Sequence, residues 1–146
     1  MDLDSARSIL KQNPSLTCVF CKGEICLSDR ARGVSPLLSF LDTYGTGEGF
    51  SCADRVVGKG AALLYCLLGV AAVHAEVISD RAAEVFERRG IPYTYHKRVE
   101  RILNRARDGF CPIESAVEDI DDPIMALPVI RSTLKALSNG AATSLS

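Results

Sequence analysis

The sequence predicts an α/β domain in which an antiparallel hairpin and parallel strands form a mixed sheet covered by helices. Three observations carry this. Two extended runs, residues 16–21 and 24–27, meet at Lys22-Gly23, a tight hairpin turn. Runs 70–78 and 91–96 are rich in Val and Ala or alternate with Tyr, and each follows a helical pattern; strands separated by helices imply parallel neighbours. Between hairpin and strands lies a helix over residues 54–68 that is apolar almost all round, the pattern of a buried element.

The elements run in order along the chain. Residues 3–12 place Leu3, Ala6, Ile9 and Leu10 on one helical face, with Asp2 as cap and Pro14 as stop. After the hairpin, Ser35 caps a helix with Pro36 at its first position, closed by Gly45. A glycine-rich loop, 45–49, leads to the central helix, with Asp54 as its N-cap and Gly69 at its left-handed end. Gly58 and Gly60 inside that helix each cost roughly 1 kcal/mol against alanine, so close approach to a sheet or a ligand should compensate. Ser79 and Asp80 cap a helix over 81–89, ended by Gly90. In the next strand Tyr93 and Tyr95 share one side, Thr94 and His96 the other. Residues 98–107 read as a basic helix with Val99, Ile102 and Leu103 inward. Cys111-Pro112 opens another helix, and Asp122-Pro123 starts a last one to about 137, which Pro128 should kink or divide. Residues 1–146 make one domain, with 139–146 as a frayed tail.

Composition excludes several classes. The net charge of −1 gives no global basic field, so no nucleic-acid partner is expected. The local run Lys97, Arg98, Arg101, Arg105 and Arg107 is the pattern of a solvated helix face, with a phosphate patch as second reading. No apolar run reaches the roughly 18 residues of a membrane span. Met1-Asp2-Leu3-Asp4 is unlike a signal peptide, so a cytoplasmic protein with reduced thiols is expected.

Six cysteines raise the question of metal. Cys18 and Cys21, with Cys26 nearby, have knuckle spacing, but residues three apart in a strand face opposite ways, so these thiols read as small core hydrophobes. His74-Ala75-Glu76 with Cys111-Pro112 is similar to the zinc-deaminase signature. Here His74 and Glu76 lie in a strand, Cys111 precedes its proline, and Glu114 stands where a second cysteine belongs. No metal and no cofactor are expected.

Two leads remain. Cys111 at a helix cap, with Glu114 two residues after Pro112, is either a capping box or a reactive thiol favoured by the helix dipole. Asp54 with Gly58-Lys59-Gly60 resembles the physical recipe for holding phosphate at a helix start, although the P-loop spacing is absent.

Taken together, Arg32-Gly33-Val34-Ser35-Pro36-Leu37-Leu38, the run from Asp54 to Ala62, and Cys111-Pro112-Ile113-Glu114 resemble domain of unknown function 1893, over roughly residues 8–135. That resemblance implies a cytidine-deaminase-like three-layer sandwich. In such a fold the helix after the hairpin carries a metal ligand and a catalytic Glu, and the helix after the next strand starts with a cysteine pair. On this chain those places fall near residues 54–59 and 79–81, which lack His and Cys in that pattern.

The functional expectation is a zinc-free deaminase-like domain that binds a nucleotide or other phosphate-bearing small molecule at the start of the 54–68 helix. Arg55 and Lys59 would meet phosphate beside Gly58 and Gly60, Asp54 would accept from a hydroxyl or base, and Ser79 and Asp80 would line the far side. The alternatives are an enzyme using Cys111 as nucleophile with Glu114 or His96 as partner, and a non-catalytic regulatory or interaction module, for instance a homodimer.

Overall fold

The computed structural model describes residues 2–104 and 106–145. Its first helix, α1 (Asp2–Gln12), presses Ala6 and Leu10 against one face of a sheet. The hairpin β1 (Cys18–Lys22) and β2 (Ile25–Asp29) turns at Gly23, whose φ of 60° lies in the left-handed region. Helix α2 (Ser35–Tyr44) has Pro36 in its first turn and ends on left-handed Gly45.

The segment after α2 departs from the expectation. Residues 51–57 form a strand, β3 (Ser51–Val57), and not a loop running into a helix. Asp54 is therefore no N-cap; it sits in mid-strand, and α3 (Lys59–Leu68) begins one residue beyond Gly58. Polar Asp54 and Arg55 mask the strand, and each is compensated by a partner on its own side of the sheet. The order continues with β4 (Ala72–Ser79), α4 (Asp80–Arg89), β5 (Tyr93–Val99), α5 (Pro112–Ala116) and α6 (Pro123–Leu145). Ser79 caps α4 as expected, accepting from the Ala82 N–H at 3.1 Å.

Strand order is β2-β1-β3-β4-β5. β1 pairs antiparallel with both β2 and β3, while β3–β4 and β4–β5 are parallel. Helix α1 covers β1 and β3 on one face. The larger core on the other face joins Cys18, Phe20, Leu63, Leu64, Ile78 and Phe86 from β1, α3, β4 and α4. Fully burying a Leu or Ile of this kind stabilises by about 1.5–3 kcal/mol.

Three further expectations change. The basic helix over 98–107 does not form: β5 continues through Val99, its register with β4 holding Ser79 opposite Val99. A bridge then pairs Leu103 with Phe110, and Asn104 N–H donates to the Gly109 carbonyl at 2.9 Å. Sheet pairing outweighs the helical spacing of Val99, Ile102 and Leu103. Second, the thiols are not all reduced. Cys18 and Cys21 do face opposite sides, one in each core, but Cys21 lies directly opposite Cys26 in the hairpin and the two form a disulfide. Third, Pro128 does not divide α6, which runs on through it from Pro123 to Leu145. Of the tail expected to fray, residues 140–146 lie outside the described side chains. No helix among the described residues is long and apolar enough to cross a membrane.

Candidate functional site

A cavity of about 230 Å³ opens at the carboxyl end of β3. Its wall takes Thr17 from before β1, Arg32 and Val34 from before α2, Asp54 and Val56 from β3, and Gly58, Gly60 and Ala61 from the start of α3. Ile102, Cys111, Ile113 and Glu114 close it. In open α/β sheets this end of the strands is where ligands bind.

Asp54 is the polar centre of that wall. It is 5% exposed, and its Oδ2 accepts from the Tyr65 O–H at 2.7 Å. Tyr65 Oη in turn lies 3.3 Å from Cys18 Sγ. Burial pushes the Asp54 carboxyl up to about 7, with the Tyr65 hydroxyl, the amides of Val56 and Arg55, and the Arg55 charge holding it back. Burial, with Asp54 nearby, also holds the Cys18 and Cys52 thiols well above their ordinary range. Asp54 can thus accept or release a proton near neutral pH.

Glu114 has a different role from the one its place in the motif implies. It makes no capping box with Cys111, which has no side-chain cap bond. Its Oε2 accepts from the Lys59 N–H at 2.8 Å and the Ser79 hydroxyl at 2.6 Å, and its Oε1 from the Ile102 N–H at 2.9 Å. Glu114 thereby fills the acceptor position at the N-terminus of α3. The two motifs Gly58-Lys59-Gly60 and Cys111-Pro112-Ile113-Glu114 are two halves of one junction. Their glycines reflect it: a Cβ on Gly60 would lie 2.5 Å from Ile113 Cγ2, and one on Gly58 would lie 3.1 Å from Glu114 Oε2.

The remaining expected site residues are dispersed. Lys59 is buried and turned away, its Nζ donating to the Glu118 carbonyl at 2.7 Å and lying 3.2 Å from Asp121. Arg55 shares the cavity edge, but its guanidinium points to the α1 side. There it meets both Glu76 oxygens at 2.9 Å and donates to the carbonyls of Leu10, Asn13 and Leu16. Asp80 accepts from Arg98 Nε at 2.6 Å, and Ser79 serves α4 and Glu114 together. Cys111, half-buried with a free thiol, does line the cavity. His96 does not; it lies with His74 in a separate groove beside α1. His74 Nδ1 shares a 2.6 Å hydrogen bond with Thr94 Oγ1, and burial pushes its pKa down.

The structure thus places Asp54 and Cys111 on the wall of one cavity, which the sequence does not reveal because β3 is not legible as a strand. It also adds Thr17, Arg32, Val34 and Ile102. Arg32 and Val34 fall in one of the family-like motifs; nothing in the sequence marks Thr17 or Ile102.

The chain matches the family model of a domain of unknown function, DUF1893, over residues 5–134. A solved structure similar to it is that of a DUF1893 family protein from Thermotoga maritima. That protein is 26% identical and superposes with a TM-score of 0.80, over 92% of this chain and 88% of the other. No curated protein matches.

Proposed function

The chain belongs to the DUF1893 family, and from that premise we propose that it binds a nucleotide or other phosphate-bearing small molecule, with the ligand's ring in the Asp54 cavity. The observation that carries the reading is Asp54 itself, a buried carboxyl with a pKa of about 7 on the wall of an otherwise largely apolar cavity at a strand's carboxyl end. Apolar walls with one placed acceptor suit a flat heteroaromatic ring that presents an N–H donor. Phosphate at the start of α3 is less favoured than the sequence implies, since Glu114 already occupies that position and Lys59 is paired.

The strand order supports a cytidine-deaminase-like scaffold. With β3 in place, the helix after the hairpin is α2 and the helix after the next strand is α3. The metal-bearing positions of that scaffold therefore shift to the neighbourhoods of Arg32–Ser35 and Gly58–Gly60, which again lack His and Cys. Binding without zinc fits these residues.

Calorimetric titration with the common ribonucleosides and their 5′-monophosphates tests the reading. At least one should bind, and Asp54→Asn, which puts an N–H donor in place of one carboxylate oxygen, should weaken it by about tenfold or more. Unchanged affinity in Asp54→Asn, or no binding by any of the panel, would overturn it.

The shared cavity also favours a second reading, in which the Cys111 sulfur adds across a C=N bond of a heteroaromatic ligand, the π pair moving to the ring nitrogen, which is protonated, while Asp54 takes the thiol proton. Fast, pH-dependent alkylation of Cys111 that Asp54→Asn slows is the expected result. Alkylation no faster than at Cys66 would remove it.

A further inference from the structure

The loop between β5 and α5 holds a second groove, of about 440 Å³, lined by Val56, Val77, Lys97, Val99, Arg101, Ile102, Leu103, Asn104 and Arg107. It shares Val56 and Ile102 with the Asp54 cavity, so the two are adjoining parts of one cleft. We propose that this groove is the phosphate subsite of the cleft, with Arg101 as its anchor and Lys97 and Arg107 as its flanks. The proposal rests on the nucleotide reading and makes the ligand class a nucleoside monophosphate, ring against Asp54 and phosphate outside.

Charge pairing carries it. Several cations of this fold are matched at close range: Arg55 with Glu76 at 2.9 Å, Arg81 with Glu118 at 2.6 Å, Arg98 with Asp80 at 2.6 Å, and Arg131 with Asp42 at 2.7 Å. In this groove three cations converge on a lining that holds no carboxylate. Arg101 has its nearest carboxylate, Glu118, only at 3.8 Å, and Glu118 is already held by Arg81. The Arg101 guanidinium lies 4.0 Å from the centre of the Phe110 ring, and its Nε is buried without a hydrogen-bond partner. Lys97 and Arg107 have neither an ion pair nor a side-chain hydrogen bond among the described residues. Asp108, the acidic residue beside Arg107, accepts instead from Asn104 at 2.9 Å.

Three cations around one opening whose own lining holds no carboxylate repel one another and favour an anion between them. A planar guanidinium stacked on an aromatic ring has its rotamer fixed before the anion arrives, and its fork matches phosphate oxygens. The polarity of the whole cleft agrees: an acceptor at the inner wall, donors and positive charge at the rim. A neutral apolar ligand would have no use for that gradient.

The test compares nucleosides with their 5′-monophosphates on the full chain, wild type and the Arg101→Gln and Lys97→Gln/Arg107→Gln variants. The monophosphate should bind about tenfold or more tightly than the nucleoside, an advantage that shrinks as salt rises from about 50 to about 300 mM. Both variants should reduce the advantage to within about twofold and leave nucleoside affinity unchanged. A nucleoside that binds with no gain from phosphate overturns the subsite and leaves the proposed function standing. If no nucleoside binds, inorganic phosphate observed through the Arg101 Nε–H resonance decides separately: no perturbation also overturns the subsite. Should Arg101→Gln fail to fold, the double variant, which alters only exposed side chains, gives the same reading.

Discussion

Asp54 and Glu114 face one cavity and are buried to similar depth, yet the fold treats them in opposite ways. Glu114, 1% exposed, collects donors from three separate segments: the start of α3, the end of β4 and the loop after β5. Asp54, 5% exposed, has the Tyr65 hydroxyl and the amides of its own strand, and its pKa rises to about 7. Equal burial therefore does not mean equal chemistry. Glu114 draws its three donors from three separate segments and so ties them together, whereas Asp54 draws its donors from its own strand and one tyrosine and faces the cavity with a carboxyl that takes up a proton near neutral pH.

The largest effect expected from this contrast is at Glu114. Glu114→Ala leaves the Lys59 and Ile102 amides and the Ser79 hydroxyl without their acceptor, costing about 4 kcal/mol of stability by urea denaturation. A loss below about 1 kcal/mol would end the contrast. Next comes Asp54, where the sign reverses. Its carboxyl holds a proton more readily folded, near 7, than unfolded, near 3.8. Stability from this group is thus complete at low pH and falls as pH rises through 7, by about 4 kcal/mol at most. Asp54→Asn should flatten the stability profile between about pH 4 and pH 8 and make the protein more stable than wild type at the upper end. Smaller again is Gly60→Ala, whose methyl meets Ile113 Cγ2. It should cost about 1–3 kcal/mol in thermal or urea unfolding, with partial rescue by Ile113→Ala. Least is Tyr65→Phe, which removes one donor to Asp54, raises its carboxyl pKa further in an NMR titration, and costs about 1 kcal/mol.

Much of the scaffold is legible in the sequence because local chemistry and tertiary structure agree. Gly45 does end α2, although Val34 and not Ser35 stands at its cap, Ser79 does cap α4, and Tyr93 and Tyr95 do share a side, their ring centres 6.2 Å apart. β3 is hidden because two ionisable residues in mid-strand read as a helix start, and their compensation comes from Tyr65, Glu76 and the end of α1, all distant in sequence. The stretch 98–107 misleads because helical spacing of apolar residues does not reveal that a parallel neighbour will extend a strand. For the site, the motifs are visible but their meaning is not. Gly60 answers to Ile113 and Lys59 N–H to Glu114, contacts across more than fifty residues that no local pattern encodes.

Arg55 lies one residue beyond Asp54 on the same strand and points the other way, gripping three carbonyls where α1 ends and the chain turns into β1. Strand β3 thus carries the cavity's carboxyl on one face and the anchor of the first helix on the other, so a one-residue slip in its register would exchange the two and undo both.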